Sequence, residues 1–137
     1  MHLEHIGIAS ADIEADLERY RRLFGATPYK VEEVASEGVR TYFLDAGGTK
    51  IELLEATSAD SAIARHIEKR GAGLHHLAFA VEDADAMMER VRQQGLRPLS
   101  DAPKAGADGK VIFFVHPKDA GGVLTEFCAP GTPPEAE

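Results

Sequence analysis

Apolar and polar positions alternate from the first residues. In residues 2–9, Leu3, His5, Gly7 and Ala9 share one side and Ile6 and Ile8 the other, which is the period of a strand. The period then lengthens. Ile13, Leu17, Tyr20 and Leu23-Phe24 recur at helical spacing behind Ser10 or Asp12 as N-cap, and Gly25 ends the run. Strands are predicted over 27–34, 39–45 and 50–55, with a polar turn at 35–38 and a hairpin at Gly47-Gly48, where positive φ is easy for glycine. A connector over 57–73 carries a short helix at 61–69. The same order then returns: a strand at 75–81, a helix at 83–94 stopped by Gly95, a strand beginning in 97–100, a turn-rich loop at 103–109, and strands at 110–116 and 123–128.

The second half echoes the first in letters as well as in pattern. Leu3-Glu4-His5-Ile6-Gly7-Ile8-Ala9 returns as Leu74-His75-His76-Leu77-Ala78-Phe79-Ala80, and Asp45-Ala46-Gly47-Gly48 as Asp119-Ala120-Gly121-Gly122. The echo carries His5 onto His76 and Glu52 onto Glu126. Two βαβββ modules are predicted, forming an α+β fold in which one curved sheet surrounds a cavity and the helices lie outside. The whole chain, 1–137, reads as a single domain, with modules at 2–56 and 74–129, the connector at 57–73 and a mobile tail at 130–137.

The candidate chemistry follows from the faces. His5 shares its side with Gly7 and Ala9, and His76 with Ala78 and Ala80, so each histidine has room beside it. Glu52 and Glu126 sit inside apolar strands, where a carboxylate needs a compensating charge or hydrogen bonds. One such glutamate is most simply a wet strand face. Two of them, related by the repeat that relates two histidines, point to a divalent metal held by His5, Glu52, His76 and Glu126. His75 faces away from His76 and reads as a packing residue or a support for the ligands. His2 reads as a terminal surface residue and His66 as lying on the exposed side of the connector helix. His116, at a strand end before Pro117, is at least as well explained by a structural role as by a site at a pocket mouth. Lys104, Lys110 and Lys118 gather in the second-half loops, where they suit an anionic substrate group or simple solvation.

Composition narrows the classes. The chain has 137 residues and a formal charge of −8, which argues against a nucleic-acid partner. No apolar run approaches a membrane span and no signal-peptide pattern precedes His2, so a cytoplasmic location is expected. The single cysteine, Cys128, excludes an internal disulfide framework and reads as a small apolar side chain near the last strand.

Four segments carry a family resemblance: Leu3 to Ala9, Lys50-Ile51-Glu52-Leu53-Leu54-Glu55, Gly73 to Phe79, and His116-Pro117-Lys118-Asp119-Ala120-Gly121-Gly122-Val123-Leu124-Thr125-Glu126, the last preceded by Gly106-Ala107-Asp108-Gly109-Lys110. They resemble the vicinal oxygen chelate superfamily and, within it, the methylmalonyl-CoA epimerases. The resemblance implies that His5, Glu52, His76 and Glu126 are the ligands of one divalent ion, with cobalt the leading expectation and manganese, nickel or zinc as alternatives. Some members have glutamine where Glu52 stands. It also implies epimerisation at C2 of methylmalonyl-CoA through proton abstraction and a metal-stabilised enolate. Glu126 is then the leading base, and Glu52 or a metal-bound water the second. Where some members place a further proposed base, in the strand after the first polar turn, this chain has Thr41, which cannot do that work. The implied partners are an acyl-CoA substrate and a second copy of the chain in a homodimer. A glyoxalase I-type lactoylglutathione lyase would use the same ligand types, and a non-catalytic small-molecule-binding module would lack the metal. An extradiol dioxygenase would use two histidines and one glutamate.

Overall fold

The structure is a computed structural model of the chain and describes residues 1–131. Its elements are strands β1 (His2–Ser10), β2 (Lys30–Val34), β3 (Val39–Asp45), β4 (Lys50–Ala56), β5 (Gly73–Ala80), β6 (Lys104–Ala105), β7 (Lys110–Val115) and β8 (Thr125–Pro130), with helices α1 (Ile13–Phe24), α2 (Ala62–Arg70) and α3 (Ala84–Gln93). The class is α+β, and each half repeats the order β-α-β-β-β. Contacts divide the chain into one unit of His5–His75 and another that joins Met1–Glu4 to the chain from His76 onward.

In the unit of His5–His75 the strand order is β2-β3-β4-β1, antiparallel except for the parallel pairing of β1 with β4. The helix signals act as the sequence suggests: Asp12 caps α1 by accepting from the Ala15 amide at 3.2 Å, and Gly25 ends it at φ 69°. Ser61 caps α2 in the same way through the Ala64 amide. Ile63 and Ile67 of α2 pack with Ala9, Leu54, Val39 and Ala56. Because the register pairs Gly7 with Glu52 and Ala9 with Leu54, α2 covers the far end of the sheet face that carries Glu52.

In the other unit the order is β5-β8-β7-β6, with β5 parallel to β8 and β7 antiparallel to both neighbours. The two faces divide the work. Phe113 and Phe127, directly opposite one another, stack beneath Met88 and Val91 of α3. Ala78, Ile112 and Cys128 form a smaller cluster on the opposite face, beside Glu126. Cys128 is the small buried side chain expected, its thiol donating to the Phe79 carbonyl at 3.5 Å.

Several expectations need correction. The strand expected from 27 starts only at Lys30, because Pro28 has no amide hydrogen to give a ladder. The strand expected within 97–100 is reduced to an isolated bridge between Pro98 and Val115, again at a proline, and the edge is taken by the two-residue β6. The last strand begins at Thr125, after Gly121 and Gly122 turn at positive φ, and continues to Pro130. The expected mobile tail otherwise falls on 132–137, outside the described residues.

Candidate metal centre and active site

Each unit builds one histidine–glutamate pair by the same local rule. In the parallel ladder of β1 and β4, Glu52 stands opposite Gly7, two residues beyond His5. In the parallel ladder of β5 and β8, Glu126 stands opposite Ala78, two residues beyond His76. Side chains two apart on a strand share a face, so each glutamate passes over a small residue to reach its histidine. His5 Nδ1 lies 3.1 Å from Glu52 Oε2, with side chains 6% and 8% exposed. His76 Nε2 lies 3.0 Å from Glu126 Oε1, with exposures of 6% and 7%.

Buried carboxylates without a partner cost several kcal/mol, and here each has an imidazole in contact. The spacing suits an N–H···O hydrogen bond. It equally suits two neighbouring ligands of one ion, since ligands at right angles about 2.1 Å from a metal lie about 3.0 Å apart. Imidazole nitrogen with carboxylate oxygen is a donor set that cobalt, manganese, nickel and zinc all accept. The residues therefore fit a divalent ion.

An aromatic ring stands beside each pair, a feature that the periodicity does not disclose. Phe43 is directly opposite Glu52 in the β3–β4 ladder, and Phe114 is directly opposite Glu126 in the β7–β8 ladder. Both follow from aligning the hairpins of the two halves, but only once the registers are known. The rings differ in cover. Phe43 is fully buried, with the Tyr29 ring at 6.0 Å and Lys30 Nζ at 5.3 Å from its centre. Phe114 is half-buried and meets the His76 ring edge-on at 5.7 Å.

The remaining candidates sort by position. Lys104 is opposite Ile112, so Lys104, Lys110 and Phe114 share the face of Glu126, whereas Lys118 lies in the turn after β7. His116 has the structural role: its Nδ1 accepts from the Lys118 amide at 3.2 Å and starts that turn, which Asp119 anchors to Arg97 through bonds of 2.9 and 3.1 Å. His2 is exposed, as expected. His66 is not. It is half-buried with its ring edge-on to His75 at 4.7 Å, and burial, aided by the Arg70 charge, holds its pKa below the ordinary histidine value. The His66 and His75 rings thus pack on one another. Thr41 is buried, with Glu32 opposite it on the edge strand, where Glu32 pairs with Lys30 at 3.4 Å. No helix among the described residues is long and apolar enough to cross a membrane.

Comparison with known proteins adds the family. The profile of the glyoxalase/bleomycin resistance protein/dioxygenase superfamily matches residues 4–114. An ethylmalonyl-CoA/methylmalonyl-CoA epimerase of Cereibacter sphaeroides is 41% identical over 126 residues, covering 90% of this chain and 94% of that protein. The crystal structure of methylmalonyl-CoA epimerase from Mycobacterium tuberculosis superposes with a TM-score of 0.89 at 37% identity, covering 96% of this chain and 89% of that one. A methylmalonyl-CoA epimerase solved in complex with methylmalonyl-CoA and NH4+ superposes at 0.87 with 40% identity, covering 94% of each chain. With its repeated histidine–glutamate pairs and a match to most of its length, this chain belongs to the glyoxalase/bleomycin resistance protein/dioxygenase superfamily, in its methylmalonyl-CoA epimerase branch.

Proposed function

We propose that the chain is an isomerase that interconverts the two C2 epimers of methylmalonyl-CoA, and that His5, Glu52, His76 and Glu126 together hold one divalent ion, cobalt in the first instance. The observation that carries this reading is the like placement of the two buried pairs, each a glutamate opposite a small residue and beside a histidine on a parallel neighbour, although His5 meets its glutamate through Nδ1 and His76 through Nε2. The relatives whose names specify this activity support it.

The C2 hydrogen of the substrate lies between a thioester carbonyl and a carboxylate, so its removal puts negative charge on the thioester oxygen. The bound ion would supply a Lewis-acid charge for that oxygen. The chain's own groups do the rest. Glu126, buried against His76, accepts the C2 proton on one side of the planar carbon, and Glu52 returns a proton from the other. Delivery from opposite sides inverts the centre. The apolar neighbours on the same sheet faces, Cys128 and Ile112 in one unit and Leu54 in the other, help to exclude bulk water. A homodimer, a single-domain organisation within 1–137 and a cytoplasmic location complete the reading.

The test is solvent-deuterium incorporation at C2 of methylmalonyl-CoA, with and without chelator. Incorporation that chelation abolishes and added cobalt restores is expected. Absence of incorporation, with turnover of a glutathione thiohemiacetal instead, would replace the epimerase reading by the glyoxalase I one.

A further inference from the structure

We propose that Phe114 sets the size of the alkyl branch that the site accepts at C2, an inference that rests on the epimerase reading above. Three observations meet at this ring. Its register places it directly opposite Glu126, on the face of the sheet that carries the histidine–glutamate pair. Its centre is 5.7 Å from that of His76, with the two planes 87° apart, so the histidine fixes its tilt. It is only half-buried, although its neighbour Phe113, on the opposite face, is fully buried.

Next to Glu126 that face is otherwise small or covered, and its exposed positions, Leu74 and Lys104, lie farther away on the sheet. Ala78 and Cys128 are small and buried, and Ile112 is blanketed by the backbone at Gly106, where an added Cβ would come within 2.9 Å of the isoleucine side chain. Phe114 is thus the large apolar group beside Glu126 that keeps free surface. Its counterpart Phe43 does not: Tyr29 and Lys30 of its own unit cover it. The repeat matches in the strand positions of its histidines and glutamates and differs in the cover of its aromatic rings.

The substrate supplies the matching asymmetry. C2 carries a carboxylate, a thioester carbon, a hydrogen and an alkyl group. Charge holds the oxygens and Glu126 takes the hydrogen, which leaves the alkyl group to find an apolar surface within reach of the same carboxylate. A phenyl ring held against an imidazole is rigid, so it contacts a methyl branch and crowds a longer one. A single methylene in such a contact changes relative rates by about 10- to 200-fold.

The experiment compares C2 deuterium exchange on methylmalonyl-CoA and ethylmalonyl-CoA for the wild-type chain and for Phe114→Leu, Phe114→Met, Phe114→Ala and Phe43→Leu. The ethyl-to-methyl ratio of kcat/KM is expected to rise about 10-fold in the Phe114 variants. Phe43→Leu should lower the unfolding temperature and leave that ratio unchanged. Equal loss of both rates in the Phe114 variants, or the same ratio shift from Phe43→Leu, would overturn the proposal. Loss of cooperative unfolding in all three Phe114 variants would make the ring structural and overturn it too. Failure of the wild-type chain to exchange either ester would overturn the epimerase reading itself, and the proposal with it.

Discussion

Ala78 stands directly opposite Glu126 in the parallel β5–β8 ladder and is fully buried. Its methyl group is small enough for the glutamate to lie across it and meet His76 at 3.0 Å. A larger side chain at that position would occupy the path. Ala78→Leu should destabilise the fold by about 1–3 kcal/mol through overpacking. It should also lower divalent-metal affinity, because the two proposed ligands would be pushed apart. Thermal unfolding and metal titration of the same preparation check both effects.

Glu126 and Glu52 are both nearly inaccessible, yet their proposed shares in proton transfer are unequal. Glu126→Gln preserves shape and a metal-binding oxygen while removing the base. It should slow C2 deuterium exchange by about 100- to 10,000-fold. Glu52→Gln should slow it less, since relatives with glutamine there are part of the resemblance described above. Exchange rates and metal content of the two variants, measured side by side, decide the order.

His66 gives the pH dependence a sign. Its folded pKa lies below the ordinary value of 6.5, chiefly because burial disfavours the imidazolium. As pH falls through about 6.5, the unfolded chain takes up this proton before the folded one does. The stability due to neutral His66 is therefore complete above that pH and is lost as pH falls toward the depressed folded value. Urea unfolding at pH 7.5 and 5.5 should show a smaller pH difference for His66→Phe than for the wild type.

Phe113 is the central anchor of the second unit, fully buried and stacked on Phe127 at 5.3 Å beneath α3. Phe113→Ala should cost about 3–5 kcal/mol, read as a lower urea midpoint. A loss well below that range would mean that α3 can collapse onto the gap.

How much of this was legible in the sequence depends on distance along the chain. Helix ends were written locally: Asp12 and Gly25 act as the cap and stop that they suggest, and the other predicted helices begin at Ser61 and Asp83, which the structure shows to be their N-caps. The repeat joined His5 to His76 and Glu52 to Glu126, and the pairing of histidine with glutamate within each unit follows it. What the chain did not show was cross-strand register. Phe43 and Phe114 look like ordinary apolar strand residues until the ladders place them opposite the glutamates. His66 looked exposed because a helical period does not reveal what packs on it, and His75 lies across a turn. The expected strand over 97–100 failed at Pro98, where composition overstated what a ladder with a missing donor can form.

The central claim is that two like-built pairs grip a single ion. Calorimetric titration of cobalt into chelator-treated protein measures this most directly, with His5→Ala and His76→Ala run alongside the wild type. One ion per chain, with tight binding lost in either variant, is the predicted result. Two ions per chain, or one site that survives the loss of either histidine, would contradict it.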